Sequence, residues 1–501
     1  MVKFNVYADG KPADRLDLEG AYLIGTDGVP LRAESIEFAS GLITCAKRAE
    51  GAAGLCLLWP VAGFGRAMLE TVRLPERDVP YNLHVELARS RLMWISQKRE
   101  DWGLYDYPGM EAVCEQVDAA REKLIEALKA EGAQAAALAD ESLQLSMDAG
   151  EQLARFHADI FLTRRRSSKT LSKHIFGCVV DLYSSGEAYV RRLTEAFQFA
   201  TVPIVWRQVE PKEQEFNFQQ VDGWINRLAA ARVPIKATPL VALNEKTIPD
   251  WLYIWEHDYE TVRDLIYEHV RRVVERYADK VAVWDVVSGL HAENVFSFTF
   301  DQLMELTRMA ATLTKQLAPR SQTVVDLILP WGEYYARNQR TIPPMLYADM
   351  AVQSGINFDA FGLQCYFGVG TDGMYVRDLM QISAMIDRFA NLGKSLHITA
   401  VQVPSSTAAD RWDAWGGAIS AEDGGEWREP WSEQTQARWL RSFCEIALSK
   451  PFVEGICWRD LADYEGHFLP HGGLLHSDLT PKLGYEEMLA LRSELTGRGR
   501  R

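Results

Sequence analysis

The sequence lacks several features that would assign it to particular classes of protein. Its first residues contain no apolar core of a secretory signal, and no run of about 18 apolar residues is present to span a membrane. Its 7 cysteines are widely spaced and form no Cys-x-x-Cys pair, which disfavours both a disulfide framework and a zinc site. We therefore expect a cytoplasmic protein with reduced thiols and no membrane partner.

Positive charge and the common nucleotide-binding motifs are also scarce. Lysine and arginine number 54 against 69 acidic residues, a net charge of -15, which suits a nucleic-acid binder poorly. The segment Asp181–Glu187, which follows the first apolar strand of the second half, has no G-x-G-x-x-G turn, and the chain has no P-loop and no G-x-S-x-G motif. Histidines in the segment 464–476 match no known metal-ligand spacing. We expect no nucleic-acid partner, no metal and no cofactor.

What the sequence does contain is typical of a large soluble protein. It has 501 residues, 47% of them hydrophobic and 25% charged. At about 150 residues per domain, two or three domains are expected. The 15 tryptophans can pack in a core or form platforms on which sugars stack, and are therefore a first hint of function.

The residue pattern divides the chain into three regions. Residues 1–78 alternate apolar and polar positions between Gly, Asp and Pro breakers, which predicts a small β-rich domain. Residues 79–171 have helical periodicity, with two long helices over about 108–131 and 133–163 that we expect to form a hairpin. The charged run Arg164–Lys169 is interpreted as a solvated linker. Residues 172–501 repeat a strand, loop and helix pattern.

Eight apolar strands are predicted after residue 172, each followed by a loop and a helical stretch. Eight such units over about 325 residues match a parallel (β/α)8 TIM barrel, whose chemistry lies on the loops that follow the strands. The predicted strands are Ile175–Leu182, Phe199–Trp206, Val233–Leu243, Val281–Val287, Thr323–Leu329, Phe358–Phe367, Leu396–Val403 and Val453–Leu461.

Several short motifs follow one another around this barrel. They are Trp206–Pro211, Phe216–Phe218, Ile248–Leu252, Val283–Val287, Phe361–Gln364, Gly393–Thr399, Gly455–Trp458 and Gly472–Leu475. Each is weak alone, but in this order and spacing they resemble the motifs of glycoside hydrolase family 10, the endo-1,4-β-xylanases. The resemblance covers most of residues 175–496 and implies a retaining mechanism on β-linked xylan or a similar glycan.

The resemblance also implies where the two catalytic glutamates should stand, and this chain has neither. In the family pattern the acid/base glutamate follows Trp-Asp-Val-Val-Asn, but here those last two positions are Ser288 and Gly289. The nucleophile follows Ile-Thr, where this chain has Ala400. General acid catalysis alone is typically worth about 10²–10⁴ in rate, and loss of the nucleophile closes the covalent route. We therefore predict a pseudoenzyme.

Other positions that would hold the sugar are changed in part. The Gln-x-His of strand six is Gln364-Cys365-Tyr366, and the motif after strand two keeps only its tryptophan. His397 is interpreted as a strand residue rather than a base. The residues predicted to contact a β-linked oligosaccharide or polysaccharide are Trp206, Trp331, Gln364, Tyr366 and Trp458.

An alternative remains, in which displaced carboxylates keep the chain active as a xylanase-like glycosidase. Glu293 and Glu333 are the substitute candidates, with Glu245 and Asp460 also placed near strand ends. If the barrel is catalytically inactive, we expect the chain to be a glycan-binding or structural, self-assembling protein. We expect a homo-oligomer formed through the N-terminal region.

Overall fold

The structure, a computed structural model, describes residues 1–105 and 107–496. Ten short strands lie in the first 82 residues and form two small sheets and a hairpin, with mostly antiparallel pairing as predicted. Strand β10 is the exception, because it pairs in parallel with β1. The strands are β1 (Val2–Asn5), β2 (Tyr7–Ala8), β3 (Lys11–Pro12), β4 (Tyr22–Ile24), β5 (Pro30–Leu31), β6 (Ala33–Ala39), β7 (Leu42–Lys47), β8 (Gly54–Val61), β9 (Gly65–Glu70) and β10 (Tyr81–Asn82).

Three helices follow the N-terminal strands: α1 (Leu83–Asp101), α2 (Glu111–Lys129) and α3 (Gly132–Ser167). Helices α2 and α3 pack as the expected hairpin, and the Ser142 hydroxyl of α3 donates to the Ala120 carbonyl of α2 at 2.7 Å. Small buried residues along the contact let the two helices approach closely. No helix in the described residues combines the length and apolar character that a membrane crossing requires.

The charged run at the end of α3 differs from its prediction as a solvated linker. Arg164, Arg165 and Arg166 form the last turn of the helix. The side chain of Arg165 is buried, and its guanidinium donates to the carbonyls of Leu448 at 2.7 Å and Lys450 at 2.6 Å. Arg165 therefore anchors the helix to the barrel. Sequence periodicity alone does not distinguish this residue from its exposed neighbours in the charged run.

The second half of the chain forms a closed barrel of eight parallel strands, which confirms the predicted fold class. Each predicted strand overlaps an observed one, because parallel strands covered on both faces form nearly continuous apolar runs. We call the carboxyl ends of these strands and the loops that follow them the rim. In order around the barrel, the strands are β11 (Phe176–Val179), β12 (Phe199–Pro203), β13 (Ile235–Thr238), β14 (Val281–Ser288), β15 (Gln322–Ile328), β16 (Ala360–Tyr366), β17 (Ser395–Gln402) and β19 (Val453–Trp458).

Helices pack around the outside of the barrel, and one loop at the rim is long. Residues 403–432, between β17 and α12, carry the two-residue strand β18 (Glu426–Trp427), which pairs with β9 of the N-terminal sheet. The helices are α4 (Glu187–Ala196), α5 (Trp206–Val209), α6 (Gln219–Ala230), a 3-10 helix at Asp250–Trp255, α7 (Tyr259–Tyr277), α8 (Phe300–Leu317), α9 (Tyr334–Arg337), α10 (Pro344–Gln353), α11 (Leu379–Ala390), α12 (Glu433–Ser449) and α13 (Leu483–Thr496).

A continuous apolar core joins the N-terminal regions to the barrel. A buried ion pair reinforces this junction, since Arg91 of α1 contacts both carboxylate oxygens of Asp378 at 2.9 and 3.0 Å. Asp378 in turn caps α11 by accepting from the Met380 amide at 2.9 Å. The N-terminal strands and helices are thus packed directly on the barrel.

Candidate functional site

The predicted acid/base position lies at the end of β14, where the backbone turns sharply. Gly289 has a φ of +67°, in the left-handed region that side chains rarely adopt. A Cβ at this position would lie 2.9 Å from the Cδ1 atom of Ile328. The local backbone therefore suits glycine, and a glutamate there would carry backbone strain and crowd its neighbour.

The predicted nucleophile position, Ala400, lies inside β17 and is 2% exposed. It belongs to an apolar cluster with Tyr366 and Leu469, against which the half-buried Trp415 and Phe468 pack. We call these five residues the mouth cluster. The ring centres of Tyr366 and Phe468 are 4.3 Å apart, and those of Trp415 and Phe468 are 4.8 Å apart. Rings and aliphatic side chains therefore cover the position where a carboxylate would have to act.

Beside the mouth cluster, a buried carboxylate organises the polar side chains of the barrel interior. Asp326 of β15 accepts from the Ser288 hydroxyl at 2.7 Å and the Gln364 amide at 2.5 Å, and Thr399 donates to its other oxygen. Tyr366 completes this network by donating to the Gln364 carbonyl oxygen at 3.0 Å. Asp326 is 0% exposed. Its oxygens are engaged on both sides, so it is not free to attack a substrate.

A second buried carboxylate lies deeper in the barrel. Asp285 of β14 is paired with Lys236 of β13 at 3.0 Å, and both side chains are almost completely buried. Burial raises the pKa of Asp285 to about 6, although the neighbouring Lys236 opposes the shift. The pair neutralises two charges inside the barrel and has no contact with solvent.

Among the predicted substitute carboxylates, Glu293 is exposed at the rim. It accepts from the Asn244 side-chain amide at 2.6 Å. Protein atoms crowd its side chain in the cleft, and this desolvation raises its pKa. Lys246 extends from the same loop as Asn244, with its ammonium 5.4 Å from the ring centre of Trp415. This group is the polar, solvent-accessible part of the rim.

Glu333, the other substitute candidate, has a different environment. Its side chain is 1% exposed and forms an ion pair with Arg377, which is also buried. It further accepts from the Gly373 amide at 2.5 Å, and Arg377 donates to the Tyr22 hydroxyl at 3.2 Å. Burial raises the pKa of Glu333, while Arg377 opposes the shift. The arrangement ties the rim to the N-terminal strand β4.

Most of the predicted sugar-stacking residues are buried. Trp206 is 5% exposed, donates to Glu210 at 2.8 Å and stacks on His269. Trp458 is 1% exposed and donates to the Gly472 carbonyl at 3.1 Å. Trp331 is half-buried beneath the Arg377 guanidinium. Gln364 is also half-buried, whereas Tyr366 is nearly inaccessible at 4% exposure, so only part of the predicted platform faces solvent.

The remaining strand-end candidates are spread over separate environments. Asp460 is buried and accepts from Gln402 at 2.9 Å and Tyr464 at 2.6 Å. Glu245 is exposed. In the histidine-containing loop, His467 contacts Asp410 at 2.8 Å. Over the described residues, no three His, Cys, Asp or Glu side chains form a group that could hold a metal ion.

Sequence reasoning missed the residues that dominate the observed rim. Asp326 is a charged residue within the otherwise apolar stretch Val324–Ile328, a signal that could have been noticed. Trp415 and Phe468 lie in irregular loops, where no periodicity indicates which way a side chain faces. Arg459 directly follows β19 and places its guanidinium 5.3 Å from the ring centre of Phe468, with no hydrogen bond or ion pair to any described residue.

The barrel is similar in sequence to proteins named as xylanases. Endo-1,4-beta-xylanase B of Thermotoga neapolitana is 23% identical over 306 residues, which cover 58% of this chain and 78% of that protein. An endo-1,4-beta-xylanase/feruloyl esterase of Xylanibacter ruminicola is 20% identical over 304 residues, covering 56% of this chain but only 40% of that protein.

Native xylanase 10B from Thermotoga maritima aligns with a TM-score of 0.49 and 16% identity, over 67% of this chain and 99% of that one. The family model described as glycosyl hydrolase family 10 matches residues 172–488, which is more than half of the chain. The chain therefore belongs to glycosyl hydrolase family 10.

Proposed function

We propose that this chain is a non-hydrolytic member of family 10, whose barrel serves as a glycan-binding or structural, self-assembling scaffold. The observation that carries the proposal is the pair Gly289 and Ala400 at the positions where the family resemblance expects the two glutamates. Retaining hydrolysis needs two carboxyl groups about 5–5.5 Å apart, one to protonate the leaving oxygen and one to attack the anomeric carbon. Neither residue carries a carboxyl group.

The surroundings of these two positions support the same proposal. The mouth cluster covers Ala400 with apolar side chains, so water and a sugar ring would have to displace Phe468 and Leu469 to reach it. Asp326 is engaged by its own network, and Glu333 by Arg377. Neither carboxylate is available as a replacement nucleophile.

Within the scaffold role, the exposed part of the rim supports weak glycan binding. Trp415 and Phe468 are each half-buried and so present part of a ring to solvent. Asn244, Lys246 and Glu293 supply hydrogen-bonding groups next to these rings. Aromatic surface flanked by a few polar groups is the usual composition of a ligand site. Self-association through the N-terminal region remains a prediction.

The alternative of a working glycosidase depends on Glu293, the exposed carboxylate whose raised pKa suits a general acid. A partner carboxylate would have to lie about 5–5.5 Å away for retention, or about 6.5–9.5 Å away for inversion. Of the other named rim candidates, Glu333 and Asp460 are buried in internal contacts, which leaves the exposed Glu245 as the remaining partner. The alternative therefore requires Glu245 and Glu293 to act together, whereas the non-hydrolytic role requires no displaced pair.

The test is hydrolysis of an aryl β-xyloside and of xylan by the purified chain, beside the variant Glu293→Gln. We expect both proteins to show the same rate as buffer, because neither family position carries a carboxyl group and Glu333 and Asp460 are held in buried contacts. Turnover by the unchanged chain that is lost in Glu293→Gln would overturn the proposal in favour of the glycosidase. Calorimetric titration with xylo-oligosaccharide, beside the variant Trp415→Ala, separates the two scaffold roles: saturable binding that this variant abolishes indicates a glycan site.

A further inference from the structure

A second cavity lies at the opposite end of the barrel from the rim. Its volume is about 1070 Å³, and its walls come from the end of α3, the segment that leads into β11, the turns before β12 and β13, and the end of α13. The guanidinium of Arg165 holds one wall in place through its bonds to backbone carbonyls. The cavity is thus built by several elements rather than by a single loop.

The side chains that line this cavity are unusually basic for so acidic a chain. Arg166, Lys169, Lys173, His174 and Arg232 are all exposed there, and we call this group the basic cleft. None of the five forms an ion pair with another described residue, although the chain has 69 acidic residues. An unpaired cluster of cations repels itself and creates a local positive potential. Such a potential attracts anions that the rest of the surface repels.

The acidic residue that lines the same cavity does not neutralise this cluster. Both carboxylate oxygens of Glu494 accept from the guanidinium of Arg441 at 3.0 Å. Its charge is therefore already balanced on the side facing α12. Glu494 also interacts electrostatically with Arg166, so the positive charge available to a ligand comes chiefly from Lys169, Lys173 and Arg232.

The lining also indicates which kind of anion fits. Besides His174, its aromatic residue is Phe197, which is 3% exposed and cannot stack on a base. Single-stranded nucleic acids gain much of their affinity from such stacking. Arginine and lysine side chains bind phosphate oxygens through charge-assisted hydrogen bonds. We propose that the basic cleft binds a ligand that carries several phosphate groups and no aromatic rings.

Calorimetric titration of the full chain with tripolyphosphate tests this proposal. We expect saturable binding that weakens steeply as salt is raised, because exposed charges are screened beyond about 8–10 Å. The double substitution Lys173→Glu and Arg232→Glu should weaken binding by at least about tenfold, since it replaces two attractive charges by repulsive ones. The variant Arg166→Gln with Lys173→Gln provides a second, milder test of the same cleft.

A matched control distinguishes a specific binding site in the basic cleft from general electrostatic attraction of the anion to the protein. The double substitution Arg320→Glu and Arg340→Glu makes the same change in net charge at two exposed arginines outside the cleft, and should leave binding unchanged. Absence of saturable binding, or equal weakening in this control, would overturn the proposal. So would tighter binding of a single-stranded oligonucleotide of equal charge, because that result requires contacts to bases. These outcomes do not depend on whether the barrel hydrolyses glycan.

Discussion

At the scale of single residues, the two positions where the family resemblance expects glutamates have a backbone and neighbours that suit small side chains. Gly289 occupies a left-handed conformation, and Ala400 is enclosed by the mouth cluster. A substitution that restores one carboxylate would therefore also have to move its neighbours. We therefore do not expect a single substitution to glutamate at either position to create activity.

The first prediction concerns the substitution Gly289→Glu. We expect it to lower the free energy of unfolding by about 1–2 kcal/mol, because a left-handed conformation is unfavourable for a residue with a Cβ atom. The contact with Ile328 adds crowding. Denaturant unfolding followed by tryptophan fluorescence measures the change.

Gly223→Glu is the matched control for this prediction. Gly223 lies on the exposed face of α6 with open space around it. Because glycine costs a helix about 0.5–1 kcal/mol relative to alanine, this substitution should be neutral or stabilising. Equal stability of Gly289→Glu and the unchanged chain would contradict the prediction.

The burial and contacts of individual side chains in the site could not be predicted from the sequence. Residue types at positions 289 and 400 were readable directly, as was the presence of Trp206 and Trp458 at strand ends. Their burial depends on loops far away in the chain: Trp458 donates to Gly472 in the loop that also carries Phe468. No local pattern encodes that loop's path.

At the scale of secondary-structure elements, the end of α3 has two roles. Arg165 faces inward and donates hydrogen bonds to the backbone carbonyls of Leu448 and Lys450 at the end of α12. Arg166 faces outward into the basic cleft. Helical geometry separates such neighbours onto different faces. The charged run thus anchors α3 to the end of α12 and also adds positive charge to the basic cleft.

The second prediction concerns Arg165→Met, compared with Arg164→Met. Removing the buried guanidinium leaves the carbonyls of Leu448 and Lys450 without their donor, and a buried unpaired polar group costs about 1–3 kcal/mol. We expect a loss of about that size for Arg165→Met in denaturant unfolding. The exposed Arg164 should change stability by no more than about 0.5 kcal/mol. Equal effects would mean that Arg165 does not anchor the helix.

Elements were predicted well where their pattern was local and long. All eight barrel strands followed from mostly apolar runs such as Val281–Val287, since strands buried on both faces are built largely from apolar residues. The two-residue strand β18 was not predicted. It is too short to show periodicity. It forms because β9 offers a sheet edge to a loop that is distant in the sequence. The contact between Arg66 of β9 and Glu422 in the loop joins residues that are 356 positions apart.

At the scale of the whole molecule, buried charge pairs join the N-terminal regions to the barrel. Arg91 and Asp378 bridge α1 and α11, while Arg377 links Glu333 to Tyr22. A continuous apolar core accompanies them. We therefore expect the chain to unfold as one cooperative unit.

The third prediction tests this cooperativity with Arg91→Met. Leaving Asp378 buried without its partner should cost about 3–5 kcal/mol. Circular dichroism at helical wavelengths and tryptophan fluorescence should then shift together to lower denaturant concentration. Arg121→Met, which removes a half-exposed partner of Asp118, should leave both transitions in place. Separate transitions for the two signals would contradict a single unit.

The five-stranded N-terminal sheet has a consequence for aggregation. Its order is β18-β9-β8-β4-β5, so both of its edges are strands of only two residues. One edge is supplied by the barrel's own loop, and the other contains Pro30, which offers no amide hydrogen. Short edges of this kind give another chain little to pair with. This five-stranded sheet is therefore protected at both of its edges from growing into fibrils.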